Sequence, residues 1–313
     1  MDVNDRVTRR IKMGDLRMLL AAVQWGSMSK AATQLNITQS AVSKALTELE
    51  HTLGVRLLDR NPQGVEPTPY GRALLDRSVA IFDELQQGVK DIQFLADPAS
   101  GEVRIGIGPP QGGLVSDIIE RLALRYPRMI FRVVERDMSG LVNGDLRDRM
   151  IDVALGWLAM PINDETFNAE LLFYDKRLVV TGATNPWTRR RKIALAELVG
   201  ERWILPPLTG LAGSSIAEDF LASGVQVPRV SVIVNSLSVR DRLLATGRYL
   251  AVVPGVELRF RDKRTPHKVL PVSFGAKPRP VGIITLKNRT LGPAVQAFID
   301  EARVLAKRMT KVS

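Results

Sequence analysis

The chain has 313 residues, 44 Lys or Arg against 33 Asp or Glu, a formal net charge of +11 and no cysteine. This length admits more than one domain with its own core, and the lack of thiols excludes a disulfide scaffold and fits a reducing cytoplasm. The charge does not by itself mark a DNA-binding protein: residues 1–100 carry 12 basic and 12 acidic side chains, so the whole excess lies in residues 101–313. Local placement says more, because Arg6 to Thr47 holds seven basic residues and only Asp15 as an acid. Met1 to Lys12 is charged and lacks an apolar core, so it reads as neither signal peptide nor anchor, and no apolar run elsewhere is long enough to span a bilayer.

Between Met28 and Thr47 the pattern is helix, turn, helix. Ala31, Ala32 and Leu35 make a short amphipathic helix whose small residues let a second helix approach closely. Asn36 tolerates a left-handed stop, Ile37 is expected to plug the turn, and Thr38 is placed to cap the next helix. On that helix Val42, Leu46, Leu49 and Leu53 recur at helical spacing and face inward. Gln39, Ser43 and Thr47 form one outer row, Ser40 and Lys44 the next. Short polar groups and one cation near a helix N-terminus suit a major groove, and Gln can pair two atoms of an adenine edge. The same face would also serve as an ordinary solvated surface.

Val55 to Arg60, the turn Asn61-Pro62-Gln63-Gly64 and Val65-Glu66-Pro67 read as strand, turn, strand, in the manner of a wing. Arg56 and Arg60 either reach phosphates or a minor groove from it or stand as exposed surface arginines. Thr68-Pro69 caps and opens a long helix running to Ala96. Phe82, Leu85, Val89 and Ile92 step along it by three, four and three, an a/d seam that predicts a dimerising coiled coil, although Ser78 interrupts its N-terminal extension.

Leu16, Gly26-Ser27, Lys30-Ala31-Ala32, Leu35, Thr38-Gln39-Ser40-Ala41-Val42-Ser43, Leu49-Glu50, Leu53-Gly54-Val55, Leu58, Arg60 and Thr68-Pro69-Tyr70-Gly71 follow one another in order and without gaps. On these residues, 13–95 closely resembles the N-terminal part of LysR-type transcriptional regulators. The resemblance implies binding of double-stranded promoter DNA. Candidate contacts are Met28, Ser29, Thr33, Thr38, Gln39, Ser40, Ser43, Lys44, Thr47, Arg56 and Arg60. It also implies a homodimer or a homotetramer built as a dimer of dimers, with RNA polymerase as a further partner and no membrane partner.

Asp97 to Gly101 is a breaker cluster, read as a hinge. Beyond it strands and helices alternate: strand Val103–Ile107, helix Leu114–Tyr126, strand Phe131–Glu135, helix Leu141–Met150, strand Val153–Gly156. A second set begins with a strand near Leu178–Thr181. Its helices lie near Ile193–Val199, Ile216–Ala222 and Leu237–Thr246, its strands near Val230–Val234 and Leu250–Val253. A strand at Gly282–Leu286 and a helix at Pro293–Lys307 close the chain. This order resembles the two-lobed, periplasmic-binding-protein-like effector domain of the same family. The likeness implies lobe one from 101–172 and 273–313, lobe two from 173–272, and a small ligand in the cleft between them.

Gly106 to Gly113 joins the first strand to its helix, where free backbone donors favour an acid or hydroxyl. Many family members carry Ser or Thr there. Here Pro109 and Pro110 remove two donors, which weakens a carboxylate grip, while Gln111 remains able to pair a hydroxyl. Pro110, Gln111 and Gly112 are the candidates on this loop. Thr209 and Asn235-Ser236 open helices in lobe two and serve either a ligand or a plain N-cap; Trp157 either stacks on a ring or packs in the core. Arg189-Arg190-Arg191-Lys192 reads as a solvated loop.

An enzyme is disfavoured. The two histidines, His51 and His267, stand in the reading head and in a Pro-flanked loop, and there is no Gly-x-Ser-x-Gly elbow, metal-spaced His/Cys set or phosphate loop. No cofactor or metal is implied. The expected fold class is mixed: a mainly α winged helix-turn-helix (1–67), a long linker helix (68–96) and a two-lobed α/β effector domain (97–313). The expected function is cytoplasmic, effector-controlled DNA binding. More loosely, the stretch from Ile193 through Arg248-Tyr249 resembles the galactose-binding-protein regulator subgroup, which suggests a sugar or sugar acid as effector, with aromatic acids as the alternative.

Overall fold

The computed structural model describes residues 3–61, 64–97, 99–158, 165–209, 211–260, 267–272, 274–275 and 277–310; Pro62, Gln63 and Pro98, which the sequence places in turns, lie outside them. The chain divides into two compact units, Met1–Val89 and Lys90–Ser313. Among the described residues no helix is long and apolar enough to cross a membrane.

The first unit opens with α1 (Val3–Arg10), followed by α2 (Met13–Gln24), α3 (Met28–Leu35) and α4 (Gln39–Leu53). Asn36 stops α3 at φ +54°, and the Thr38 hydroxyl accepts the Ala41 N–H at 3.2 Å to start α4. Leu19, Ala22, Ala31, Val42, Leu46 and Leu49 are buried together as the core of this unit. Ile37 does not plug the turn as expected: it is 36% exposed, because Ala31 and Ala32 already let the two helices close on each other.

The wing is the antiparallel pair β1 (Leu58–Asn61) and β2 (Gly64–Pro67). Its first strand starts at Leu58 rather than Val55, since the Glu50 carboxylate of α4 accepts the Leu57 and Leu58 N–H groups at 2.8 and 3.1 Å. Thr68 then turns the chain into α5 (Pro69–Ala96). Its hydroxyl donates to the Arg56 carbonyl at 2.8 Å and accepts the Gly71 N–H at 3.1 Å. Within α5 Phe82 is half-buried against the first unit's core, with the Arg17 guanidinium 5.6 Å from its ring centre. Leu85, Val89 and Ile92 are exposed, and Ser78 is fully buried, donating to the Leu74 carbonyl. The linker helix is not a separate body, because the division between the units falls inside it.

The second unit holds two five-stranded sheets. The first has the order β4-β3-β5-β12-β6, from β3 (Ser100–Ile107), β4 (Arg128–Glu135), β5 (Val153–Trp157), β6 (Phe167–Asp175) and β12 (Arg279–Leu286). It is covered by α6 (Gly112–Arg125) and α11 (Pro293–Thr310), which bury Ile118, Leu122, Phe298 and Ile299. The second has the order β11-β7-β10-β8-β9, from β7 (Arg177–Gly182), β8 (Trp203–Leu205), β9 (Val230–Ile233), β10 (Leu250–Pro254) and β11 (His267–Val269). Trp203 and Phe220 meet edge to face in its core, beneath α8 (Leu211–Ala222). On its other side α9 (Leu237–Ala245) buries Leu244.

The sequence-based lobe limits need correction. β6 pairs with β12 from Phe167 to Asp175, so the first crossing between lobes is at Lys176, not between 172 and 173. The expected helix at 193–199 is only a 3-10 turn, Leu195–Leu198, with Ile193 bridged to Val272. The expected helix at 141–150 is a short α7 (Met138–Gly140) continued by π-helix over Leu141–Leu146 and ended near Arg149 at φ +59°. The expected hinge is tied down: Asp97 pairs with Arg128, which holds its carboxyl below the usual range.

Two outcomes follow. A Cβ at Gly71 would stand 2.0 Å from the Leu57 carbonyl oxygen, so Gly71→Ala should lower the urea midpoint of the N-terminal unit by the equivalent of about 1–3 kcal/mol. At the crossing, Asp175 accepts the Val256 N–H of α10 (Gly255–Arg259) at 3.0 Å, while its other oxygen is buried without a partner. Burial pushes its pKa up to about 6 against three backbone N–H donors and Arg177. The folded chain then holds this proton more tightly than the unfolded chain, so the group's contribution to stability falls as pH rises from about 4 through 6. Asp175→Asn should therefore gain on the parent protein over that window, by at most about 3 kcal/mol, in chemical denaturation from pH 4 to pH 7.

Candidate DNA-reading face and effector cavity

The α2–α3–α4 core leaves the N-terminal half of α4 facing outward. Gln39, Ser40, Lys44 and Thr47 are exposed there and Ser43 is half-buried, with Ser29, Thr33 and Thr38 exposed beside them. Thr33 and Thr47 spend their hydroxyl protons on the carbonyls of Ser29 and Ser43 at 3.1 and 2.9 Å, so they offer only acceptors. Lys44 approaches Glu48 no closer than 4.0 Å with both side chains largely in water. That leaves Gln39, Ser40, Ser43 and Lys44 as the versatile groups. Met28 is a correction: it is buried in the core, anchoring the start of α3, and its side chain is not offered to a groove. On the wing Arg56 is exposed, while Arg60 lies 3.6 Å from Glu50, which holds it beside α4. Lys30, exposed on α3, was not singled out from the sequence, because a lone surface Lys carries no pattern.

The second unit contains a cavity of about 580 Å³ lined by both lobes. Lobe one contributes Gly108, Pro109, Pro110, Gln111, Met138 and Trp157; lobe two contributes Arg177, Leu205, Pro206, Pro207, Ile216, Asn235, Ser236 and Arg240. The 108–112 loop has spent its backbone donors. Gly108 N–H goes to Leu155, Gln111 N–H to Gly108 and Gly112 N–H to Pro109. The side chains are left to do the recognising.

Gln111 is 1% exposed, and its amide Nε2 has no partner. Trp157 packs partly on the lobe-one core and also lines the cavity, its Nε1 buried without a partner, so both of its expected roles coexist. Asn235 and Ser236 reach the cavity too, although Ser236 also caps α9 by accepting the Val239 N–H at 3.4 Å. Gly112 and Thr209 do not line it. Gly112 is absorbed into the start of α6, and Thr209 is exposed while the neighbouring Pro206 and Pro207 face the cavity.

Sequence reasoning missed Arg177, whose only signal was a charge heading the apolar strand Arg177–Gly182. Its guanidinium is buried, ion-paired with Asp219 and hydrogen-bonded to Ser215, and lies 4.7 Å from the centre of the Trp157 ring. Burial holds it below its ordinary pKa, with Asp219 opposing. Arg240 is also in the lining and is saturated by Glu257 and Asp241. Arg189 to Lys192 are all exposed. Among the described residues no group of three or more His, Cys, Asp or Glu could hold a metal ion.

Residues 13–72 match the family described as bacterial regulatory helix-turn-helix protein, lysR family, and residues 96–306 match the LysR substrate binding domain. The chain belongs to the LysR family of transcriptional regulators, proteins that bind promoter DNA and small-molecule effectors and are not enzymes. Among its relatives, the HTH-type transcriptional regulator GbpR of Azospirillum brasilense is 27% identical over 296 residues, covering 94% of this chain and 86% of that one. The transcriptional dual regulator GltC of Bacillus subtilis is 25% identical over 291 residues, covering 93% and 96%. In fold the chain is similar to full-length OxyR from Pseudomonas aeruginosa (TM-score 0.63, 20% identity, 94% and 98% covered). It is similar as well to CbnR in complex with its target DNA (TM-score 0.54, 18% identity, 95% and 100% covered).

If Gln39 meets a base edge, Gln39→Ala should lose about 1–3 kcal/mol of discrimination at one base pair, seen as one relaxed position in a binding-site selection. Lys44→Ala should instead weaken all sites alike and reduce the salt slope by about one.

Proposed function

We propose that this regulator is controlled by an effector held in the cavity between its two lobes, and that it reads its operator through Gln39, Ser40, Ser43 and Lys44, steadied by Arg56 and Arg60 of the wing. The observation that carries the effector reading is Gln111, a fully buried amide with an unpartnered donor in the wall of a two-lobed cavity. A buried donor left unpaired costs about 1–3 kcal/mol, which a ligand acceptor would recover. A ligand touching both lobes binds one lobe arrangement better than another, and only such differential affinity can change how the protein sits on DNA. The effector class is drawn from sugars, sugar acids and aromatic acids.

Assembly as a homodimer, and as a homotetramer beyond it, follows from the exposed apolar row Leu85, Val89 and Ile92 on α5. RNA polymerase is a further partner of the DNA-bound form, and the site of action is the cytoplasm, where the DNA is. Phe82, placed in the same row by sequence, is half-buried within its own chain, so the seam is better tested at Leu85. Leu85→Asp should lower the mass measured by light scattering without unfolding the protein.

Gln111→Met keeps the volume and removes the amide. It should leave effector-free DNA binding intact and move the effector response to roughly five- to 150-fold higher concentration. Thr209→Val, outside the cavity, should leave the titration where it was. An unmoved titration in Gln111→Met would remove the cavity from consideration as the effector site.

A further inference from the structure

We infer that the effector is a carboxylate on a compact, flat, largely apolar body, and that Arg177 is its anion anchor; this rests on the cavity being the effector site. The buried polar atoms of the lining that lack a partner are all donors: Gln111 Nε2, Trp157 Nε1 and Arg177 Nε. The lining's carboxylates are otherwise engaged or in water. Glu257 is bound to Arg240, Asp137 caps α7 through the Gly140 N–H at 2.9 Å, and Glu135 is exposed. A polyol brings a proton with every oxygen, so each buried hydroxyl would need an acceptor that this lining does not hold in reserve. A carboxylate brings acceptors only, which matches three waiting donors.

The remainder of the lining is Pro109, Pro110, Leu205, Pro206, Pro207 and Ile216, a surface for an apolar body and not for a ring of hydroxyls. Arg177 suits the anchor role for a second reason. Two of its nitrogens are held by Ser215 and Asp219 in lobe two, and its flat face lies over Trp157 at the end of a lobe-one strand. An anion on its remaining Nε–H therefore touches the point where the two lobes meet.

Calorimetry and thermal shift on the full chain with benzoate, cyclohexanecarboxylate, gluconate and galactose separate the possibilities. The expected result is binding of the first two, with gluconate and galactose at least tenfold weaker. Trp157→Phe, which keeps the ring and drops the N–H, should weaken benzoate about tenfold, and Arg177→Gln should abolish its binding. Because Arg177→Gln strips Asp219 of its partner and risks misfolding, Trp157→Phe and Gln111→Met carry the test independently. No binding of either apolar carboxylate at millimolar concentration overturns the inference. So does galactose or gluconate binding as tightly as benzoate; if Gln111→Met weakens that sugar, the cavity stands as the effector site and only the class falls. Benzoate binding that none of the three variants alters would overturn both the anchor and the cavity reading.

Discussion

Arg177 carries its charge at the point where the chain leaves one sheet for the other, and a guanidinium only 7% exposed has to be answered by its surroundings. Desolvating an ion costs several kcal/mol unless partners offset it. The answer comes from α8, whose Ser215 and Asp219 stand four residues apart on one face, and from the Trp157 ring. Arg279, which opens β12 after the chain has crossed back, reaches the Ser215 carbonyl, Glu218 and Asp219 on the same helix. Both crossings are thus tied to α8, and the cavity beside it inherits their geometry. One nitrogen of the buried cation is left over, and it belongs to the cavity.

The reading head depends on a comparable junction of backbone and side chain. Glu50 belongs to α4, yet its carboxylate holds the backbone N–H groups at the entrance to the wing and stands beside Arg60. Thr68 bonds both ways, to the Arg56 carbonyl and from the Gly71 N–H, and Gly71 lets α5 press against Leu57 where no Cβ would fit. Val65 adds a bond to the Gly26 carbonyl at the end of α2. Recognition helix, wing and linker helix therefore share one small block of packing, and the outward face of α4 is held without any of its own polar side chains being consumed.

The helix-turn-helix was legible because its signals are local. Asn36 stops a helix by tolerating positive φ, Thr38 caps by a hydroxyl three residues from its N–H partner, and the apolar spacing of Val42, Leu46 and Leu49 reports which face is buried. The alternation of strands and helices in the second unit was legible for the same reason. Elements shorter than one period were not: β8 and β11 have three residues each, and β6 alternates too weakly to reveal that it belongs to lobe one. Ile37 and Met28 were misplaced because apolar character on a short segment does not say which neighbour arrives first. Of the cavity residues, Gln111, Trp157, Asn235 and Ser236 were found through loops that follow strands, whereas Thr209 lies one turn away from the surface that the neighbouring prolines occupy.

By itself the amino-acid order determined the class of protein, the reading helix and its outward residues, and the existence of two α/β lobes, since each rests on spacing within a few turns of chain. Only the tertiary structure decided where the chain crosses between lobes and that Arg177, Trp157 and Gln111 line one cavity. It alone decided that their free atoms are donors. Those facts depend on contacts between residues separated by tens of positions, where burial and the count of satisfied hydrogen bonds are set by packing and leave no local trace in the sequence.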